Sequence, residues 1–295
     1  MNNKLKGSLS LSVAVIIWGS AFIAQSVGMD LIGPFTFQAI RCLLAVVFLV
    51  LMSFLLEAKK CTPKESATRW KTKELWRSGA ICGIALFVAA SLQQMGLVYT
   101  DAGKAGFLTA MYIVLVPVFG LFLGKRPGGA TVVSVLLAVV GLYLLSCMGV
   151  SQVNIGDLMV MGCAVAYAVQ ILLVDKYAPS LDGLRLNCVQ ALVVTVLSLP
   201  FMILTETVDW ANIFACTIPL LYAGILSMGV AYTLQIVGQQ HLEPTTASVI
   251  MSMESVIAAL CGWLLLKETM SPWELLGCCL VFAAVILSQM PAKRT

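Results

Sequence analysis

Two charged side chains lie deep within apolar stretches of the chain. Glu254 is about ten residues into the stretch 244–266, and Arg41 lies in the stretch 34–56. If lipid surrounds these stretches, burying an acid costs about 2.5–3.5 kcal/mol, so Glu254 should face protein. Such a carboxylate can bind a substrate amine or carry a proton, and a buried guanidinium can bind a substrate carboxylate. Each has a structural alternative: a hydrogen bond between helices for Glu254, and an ion pair or snorkelling for Arg41.

Neutral polar side chains recur three residues apart in other apolar stretches, so each pair lies on one helix face. Such faces either hold helices together or line a wet cavity, and for the whole set we predict a central polar cavity. With the two charged residues, the predicted cavity residues are Trp18, Gln25, Gln38, Arg41, Thr109, Tyr112, Tyr167, Gln170, Asn187, Gln190, Tyr232, Gln235 and Glu254.

The predicted cavity residues limit the ligand. They include one cation, so a site for highly phosphorylated metabolites is not expected. Amides, aromatic rings and one acid suit small amphipathic molecules such as amino acids. The chain has a single histidine, His241, and its ten cysteines include no C-x-x-C spacing, so we expect neither a metal site nor a cofactor. No basic surface typical of nucleic-acid binding is expected either.

The elements that must position these residues are membrane-spanning helices. The chain is 60% hydrophobic and 11% charged, with a mean hydropathy of +0.97, whereas soluble domains average about 25% charged residues. We therefore predict an all-α integral membrane protein with ten transmembrane helices around the cavity. The predicted spans are 7–27, 34–56, 78–99, 104–124, 130–149, 156–175, 184–204, 217–238, 244–266 and 272–290.

Positive charge predicts the orientation of these spans. With the N-terminus inside, fifteen Lys and Arg residues fall in inside segments, including seven in the loop 57–77, whereas the outside loops hold only Lys104 and Lys267. Inside loops of membrane proteins carry this excess. We predict a multi-pass protein of the inner, plasma membrane with both termini cytoplasmic. The basic loop 57–77 is interpreted as a topology determinant, with lipid-headgroup binding as the alternative.

The second half of the chain repeats the first. Residues 96–146 align without gaps on 238–288 at a shift of 142, and the earlier spans align at a shift of 149. Five spans are an odd number, so two such halves insert with opposite orientations, as in many transporters. We predict two domains, 1–150 and 151–295, that form inverted five-helix repeats. Glu254 aligns with Tyr112, so the acid occurs in one half only.

One proline differs in position from the others. Pro34, Pro219, Pro244 and Pro272 sit at predicted first turns, where the missing N–H does no harm. Pro117 falls inside a span and frees a carbonyl there, which predicts a gating hinge or, as the alternative, a static kink.

Several short motifs together resemble one known family. The motif Ile17-Trp18-Gly19-Ser20-Ala21-Phe22, the run 41–45 (Arg-Cys-Leu-Leu-Ala), the run from Thr100 to Pro117, and Met253-Glu254-Ser255-Val256 with Lys267-Glu268 are similar to EamA-type members of the drug/metabolite transporter superfamily. Ser255 departs from the family pattern, which often has proline there. Lys125-Arg126 also departs, since a glycine–glutamate pair is usual.

The resemblance implies ten helices in two inverted repeats around a central cavity, and transport of small metabolites, commonly amino-acid export. We therefore expect a transporter that works by alternating access as a monomer or homodimer, with protons as a candidate coupling ion. A multidrug or organic-cation exporter is the alternative within transport. A non-transporting scaffold or a membrane-embedded enzyme is the alternative of another class, and no H-E-x-x-H or paired intramembrane aspartates favour an enzyme.

Overall fold

A computed structural model describes residues 3–58, 62–100, 102–125, 127–146, 154–265 and 270–289. Every regular element in these ranges is helical, which confirms the all-α prediction. The elements up to residue 146 are α1 (Asn3–Leu31), α2 (Pro34–Glu57), α3 (Pro63–Trp70), α4 (Lys73–Leu97), α5 (Ala102–Ala110), α6 (Tyr112–Phe122) and α7 (Gly129–Ser146). The later ones are α8 (Ile155–Tyr177), a 3₁₀ turn (Ala178–Ser180), α9 (Gly183–Thr205), α10 (Trp210–Ala215), α11 (Thr217–Leu221), a π-helical segment (Tyr222–Ala231), α12 (Tyr232–Gln239), α13 (Pro244–Met251), α14 (Met253–Leu265) and α15 (Pro272–Gln289).

In the described ranges, nine helical stretches are long and apolar enough to cross a membrane. They are Asn3–Leu31, Pro34–Glu57, Lys73–Leu97, Lys104–Phe122, Ile155–Ser180, Gly183–Thr205, Thr217–Gln239, Pro244–Cys261 and Pro272–Gln289. A further apolar helix, Gly129–Leu145, is shorter. The chain is therefore a multi-pass membrane protein, while the count of ten spans stays a prediction.

One clear boundary difference lies just after the long basic loop. The fourth helix begins at Lys73, five residues before the predicted span, because a helix can continue past its apolar window into the polar region. The loop itself contains α3, which the hydropathy pattern missed. Thr62 and Glu65 form a reciprocal capping box at its start. The predicted loop residues Lys59, Lys60 and Cys61, and the motif residues Arg126, Lys267 and Glu268, lie outside the described ranges.

Two spans are interrupted near their middles. The helical pattern breaks at Met111, between α5 and α6, and at Ser252, between α13 and α14. The amides of Val114 and Ser255 bond to carbonyls only three residues back at these points. Pro117 lies inside α6, six residues after the first break. The second break forms without any proline, so the serine at 255 does not prevent it.

Close glycine contacts set the helix crossings. A Cβ on Gly96 of α4 would lie 2.4 Å from Cγ2 of Val160 and 3.0 Å from the carbonyl of Gly156, both on α8. A Cβ on Gly238 of α12 would lie 2.7 Å from Leu11 and 3.1 Å from the carbonyl of Gly7, both on α1. These helices approach as closely as they do because the glycines have no side chains.

Polar contacts fasten α2 to α9 at both ends. At the start of α2, Glu206 accepts hydrogen bonds from the amides of Phe35 and Thr36, each at 2.8 Å. At the other end of α2, Glu57 pairs with Arg185 at the start of α9, at 2.6 Å. A carboxylate at a helix N-terminus favours this docking, and the ion pair links the opposite ends of the two helices.

Candidate functional site

A narrow cavity lies in the middle of the bundle, between helices from both halves of the chain. It offers about 40 Å³ of free space, room for about three water molecules. Its walls come from α1, α2, α4, α5, α6, α8, the π-helical segment, α12, α13 and α14. The lining residues are Trp18, Phe22, Gln25, Arg41, Gln93, Thr109, Tyr112, Tyr167, Ile171, Ser227, Tyr232, Gln235, Met251 and Glu254.

Glu254 lies in this wall at the beginning of α14, just after the break at Ser252. Its side chain is 6% exposed, and Oε1 accepts a hydrogen bond of 2.9 Å from the hydroxyl of Tyr112. Tyr112 begins α6 just after the other break. The two interruptions therefore bring an acid and its hydroxyl partner together at the cavity, and the carboxylate still has acceptor capacity for a ligand.

Arg41 lies in the wall on α2 and is 4% exposed. Its Nη1 donates to Oε1 of Gln25 at 2.8 Å, and its guanidinium carbon is 5.7 Å from the ring centre of Phe37. No carboxylate of the described residues forms an ion pair with Arg41, and its buried Nε has no hydrogen-bond partner among them. A guanidinium held by a neutral amide keeps its charge available to an anionic group.

Aromatic and amide side chains form another part of the wall. The hydroxyls of Tyr167 and Tyr232 are 3.0 Å apart, and the Tyr167 hydroxyl also lies 3.3 Å from Oε1 of Gln93. Gln93 in turn donates to Thr109 at 3.2 Å. The ring of Trp18 meets that of Tyr232 edge-on with centroids 4.9 Å apart. This wall combines apolar surface with hydroxyl and amide groups, as small-molecule sites do.

Some polar atoms of the wall have no partner among the described residues. They are Nε1 of Trp18, Nε of Arg41 and Oε1 of Gln235. A buried donor or acceptor without a partner costs about 1–3 kcal/mol, so each of these atoms needs water or a ligand. Together they are two donors and one acceptor on residues of the cavity wall.

The structure brings nine of the thirteen predicted residues into the cavity wall and places four behind it. Gln170 accepts from Gln235 at 3.3 Å and donates to Gln190 at 3.2 Å. Gln38 donates to Ser91 and Ser198, and Asn187 donates to the π-helical segment. These four side chains connect helices, which is the structural alternative for polar faces.

Five lining residues are absent from the predicted set: Phe22, Gln93, Ile171, Ser227 and Met251. Four of them are apolar or small and carry no signal that separates them from packing residues. Gln93 did carry such a signal, because the shift of 142, continued three residues before the aligned range 96–146, pairs it with Gln235, a predicted cavity residue. Within the described ranges, no group of three or more His, Cys, Asp or Glu side chains could hold a metal ion.

Comparison with known proteins gives the same picture at family level. The EamA-like transporter family matches residues 5–147 and again 154–290. An uncharacterized transporter of Archaeoglobus fulgidus is 32% identical over 96% of this chain and 86% of its own. The uncharacterized transporter YoaV of Bacillus subtilis is 24% identical over 98% and 99%.

Two further matches concern function and fold. The threonine/homoserine exporter RhtA of Escherichia coli is 30% identical over 181 residues, 59% of each chain. A protein of known crystal structure superimposes with a TM-score of 0.81 at 18% identity and covers 98% of both chains, which shows a shared fold. The family matches cover nearly the whole chain, and their positions agree with the helical architecture. The chain therefore belongs to the EamA-like transporter family.

Proposed function

We propose that this protein transports small zwitterionic metabolites of the amino-acid class across the inner membrane, in the direction of export. One observation carries the proposal: a buried guanidinium and a buried carboxylate, neither paired with an opposite charge among the described residues, line the same cavity. An amino acid carries both complementary charges. Its carboxylate would bind Arg41 and the indole N–H of Trp18, and its ammonium group would bind Glu254 and Oε1 of Gln235.

The name of one relative supports this substrate class. RhtA is a threonine/homoserine exporter, and its similarity covers more than half of this chain. The aromatic wall of Tyr167, Tyr232 and Trp18 supports it as well, because it gives the side chain of a substrate an apolar surface with hydroxyl groups within reach. The family and its named members are transporters, so we propose no enzymatic activity.

The glycine crossings support two inverted repeats, residues 1–150 and 151–295, that alternate access to the cavity. Gly96 and Gly238 differ by 142, and their respective partners Gly156 and Gly7 differ by 149. These are the two shifts of the internal alignment, so the two contacts, each of which joins one half to the other, are equivalent. Helices related in this way can rock between two equivalent arrangements.

The cavity as it stands has about 40 Å³ of free space, less than an amino acid occupies, so binding one requires its walls to move apart. We propose that this opening alternates between the two membrane faces, with Glu254 as the site where a coupling proton binds. The excess of Lys and Arg at the end where α1 begins and α2 ends supports cytoplasmic termini.

Transport by the purified protein tests the proposal. Proteoliposomes containing the full chain should exchange labelled threonine, homoserine and other small amino acids faster than protein-free liposomes. Unlabelled amino acid should compete, whereas the corresponding amine without its carboxylate should compete poorly because it cannot bind Arg41. Absence of transport over a broad amino-acid panel would refute this substrate class. Efflux of organic cations instead would assign the protein to the multidrug alternative.

A further inference from the structure

Asn187 of α9 holds the backbone of the neighbouring span. It is fully buried, and its Nδ2 donates to the carbonyls of Met228 and Gly229 at 2.8 and 3.1 Å and to Oγ1 of Thr233 at 3.0 Å. Met228 and Gly229 belong to the π-helical segment, and Thr233 lies just after it. A π-helix replaces the usual bonds to the fourth residue by bonds to the fifth, so carbonyls near its end need other donors.

The other half of the chain contains the same bond in a simpler form. Gln38 of α2 donates to Ser91 of α4 at 3.0 Å. Gln38 and Asn187 differ by 149, and Ser91 and Thr233 differ by 142, the two shifts of the internal alignment. No bond from Gln38 to the backbone of α4 accompanies it, and α4 is a continuous α-helix there. The half with the π-helical segment therefore has asparagine at this position, and the half with the continuous α-helix has the longer glutamine.

The π-helical segment accommodates one extra residue relative to α4. A Cβ on Gly83 of α4 would meet Gln190 and Val193, whereas one on Gly224 would meet Arg41 and Leu44. Both partner pairs differ by 149, so Gly83 and Gly224 occupy equivalent places, although they differ by 141 rather than 142.

The count along each helix locates this extra residue. Gly83 and Ser91 are eight positions apart (91 − 83), whereas Gly224 and Thr233 are nine apart (233 − 224). The additional position falls within the π-helical segment, which ends just before Tyr232.

We infer that Asn187 is a positioning residue for the cavity: it stabilises the π-helical segment and thereby sets the orientation of Tyr232 and Gln235. A helix turns by about 100° per residue, so removing a one-residue insertion changes which side chains beyond it face the cavity. Ser227 lies within the segment, and Tyr232 and Gln235 follow it, and all three line the cavity. Asn187 itself is absent from the lining, so it acts through them.

Substitution of Asn187 by leucine tests this inference. It removes the donor at similar volume, and the transport readout rests on the function proposed above. For threonine, we expect KM to rise about tenfold, with a smaller change in maximal rate, because the binding wall is displaced. Removing the Tyr232 hydroxyl (Y232F) should raise KM several-fold in the native chain and less than twofold in N187L. Residues that act through one another show such non-additivity.

The matched control is Gln38→Leu, which removes the equivalent bond in the half without a π-helical segment. In that variant the effect of Y232F on KM should remain as large as in the native chain. Equal effects of Y232F in all three backgrounds would overturn the inference, even if N187L alone were poorly active.

A measurement without substrate separates this inference from the proposed function. Hydrogen exchange of the amides of residues 222–235 should change in N187L and not in Q38L, since only the former holds that segment. The emission of Trp18, obtained as the difference from W18F chains, should shift in N187L because Trp18 packs against Tyr232. If the native protein transported no amino acid but these changes occurred, the positioning role would stand. Unchanged exchange and emission would refute it whatever the protein transports.

Discussion

The spans formed by α5–α6 and by α13–α14 are corresponding parts of the two halves, and they differ at one decisive position. Both are interrupted, at Met111 and at Ser252, and both begin their second segment beside the cavity. The first presents Tyr112 and the second presents Glu254, and these aligned residues hydrogen-bond to each other at 2.9 Å. Their separation of 142 is the shift of the alignment itself.

This contact shows where the two halves of the chain differ. In the repeat layout proposed above, two equivalent positions touch only at the local axis that relates the halves, and both residues line the central cavity. A tyrosine on each side would give a neutral, symmetric centre. Replacing one by glutamate places an acid at the point that both halves share, and the remaining tyrosine supplies its hydrogen bond.

Removing this difference should have the largest effect. Glu254→Gln keeps the shape but loses the charge, and a hydrogen bond to a charged group is worth about 1.5–3 kcal/mol. We expect amino-acid transport in proteoliposomes to fall by about 10- to 100-fold, and the residual transport to lose its dependence on an imposed pH gradient. Tyr112→Phe, the control, should keep that dependence. A Glu254→Gln protein with native pH dependence would exclude Glu254 as the proton site.

Making the halves alike at their other charged position should have the next largest effect. Arg41 aligns with Gln190, and Arg41→Gln removes the charged donor. We expect KM for threonine to rise at least about tenfold, the equivalent of 1.4 kcal/mol. Competition by amines without a carboxylate should be unchanged, which competition assays can measure. An equal loss for both ligand types would indicate that Arg41 is structural.

Exchanging the two positions should restore part of the function. The double variant Tyr112→Glu with Glu254→Tyr keeps one acid and one tyrosine at this contact. We expect it to transport about tenfold faster than Glu254→Tyr alone. The acid at position 112 again lies beside a tyrosine hydroxyl, and positions 112 and 254 are about equally buried. Initial rates of labelled threonine uptake provide the measurement. Equal inactivity of both proteins would show that the two positions are not interchangeable.

The smallest effects should come from the glycine crossings, where the halves are alike. Gly96→Ala and Gly238→Ala each introduce a Cβ within 3.0 Å of a neighbouring helix. Overpacking of this kind costs about 1–3 kcal/mol, so both should lower the melting temperature in detergent by several degrees and by similar amounts. Gly129→Ala, where nothing lies within 4 Å, is the control. A loss in only one of the two crossings would contradict their equivalence.

Much of the fold could be predicted because lipid imposes simple rules. Apolar length predicted the helices, and the gapless alignment related Glu254 to Tyr112. The same shift, continued three residues before the aligned range, pairs Gln93 with Gln235. The search for polar pairs three residues apart missed Gln93, because it has no polar partner at that spacing. The break at Ser252 could not be predicted from a proline, because none is present.

The sequence alone therefore determined the helical membrane architecture, the family and the set of polar residues that must avoid lipid, because the cost of exposing a polar group in hydrocarbon depends on residue type and depth. Only the tertiary structure decided which of these residues face the cavity. Behind its wall, Gln38, Gln170, Asn187 and Gln190 form hydrogen bonds with one another or with neighbouring helices, while Arg41 and Glu254 line the cavity. The rotation of each helix and the one-residue offset of the π-helical segment determine which side chains face the cavity. Both depend on contacts between residues far apart in the chain.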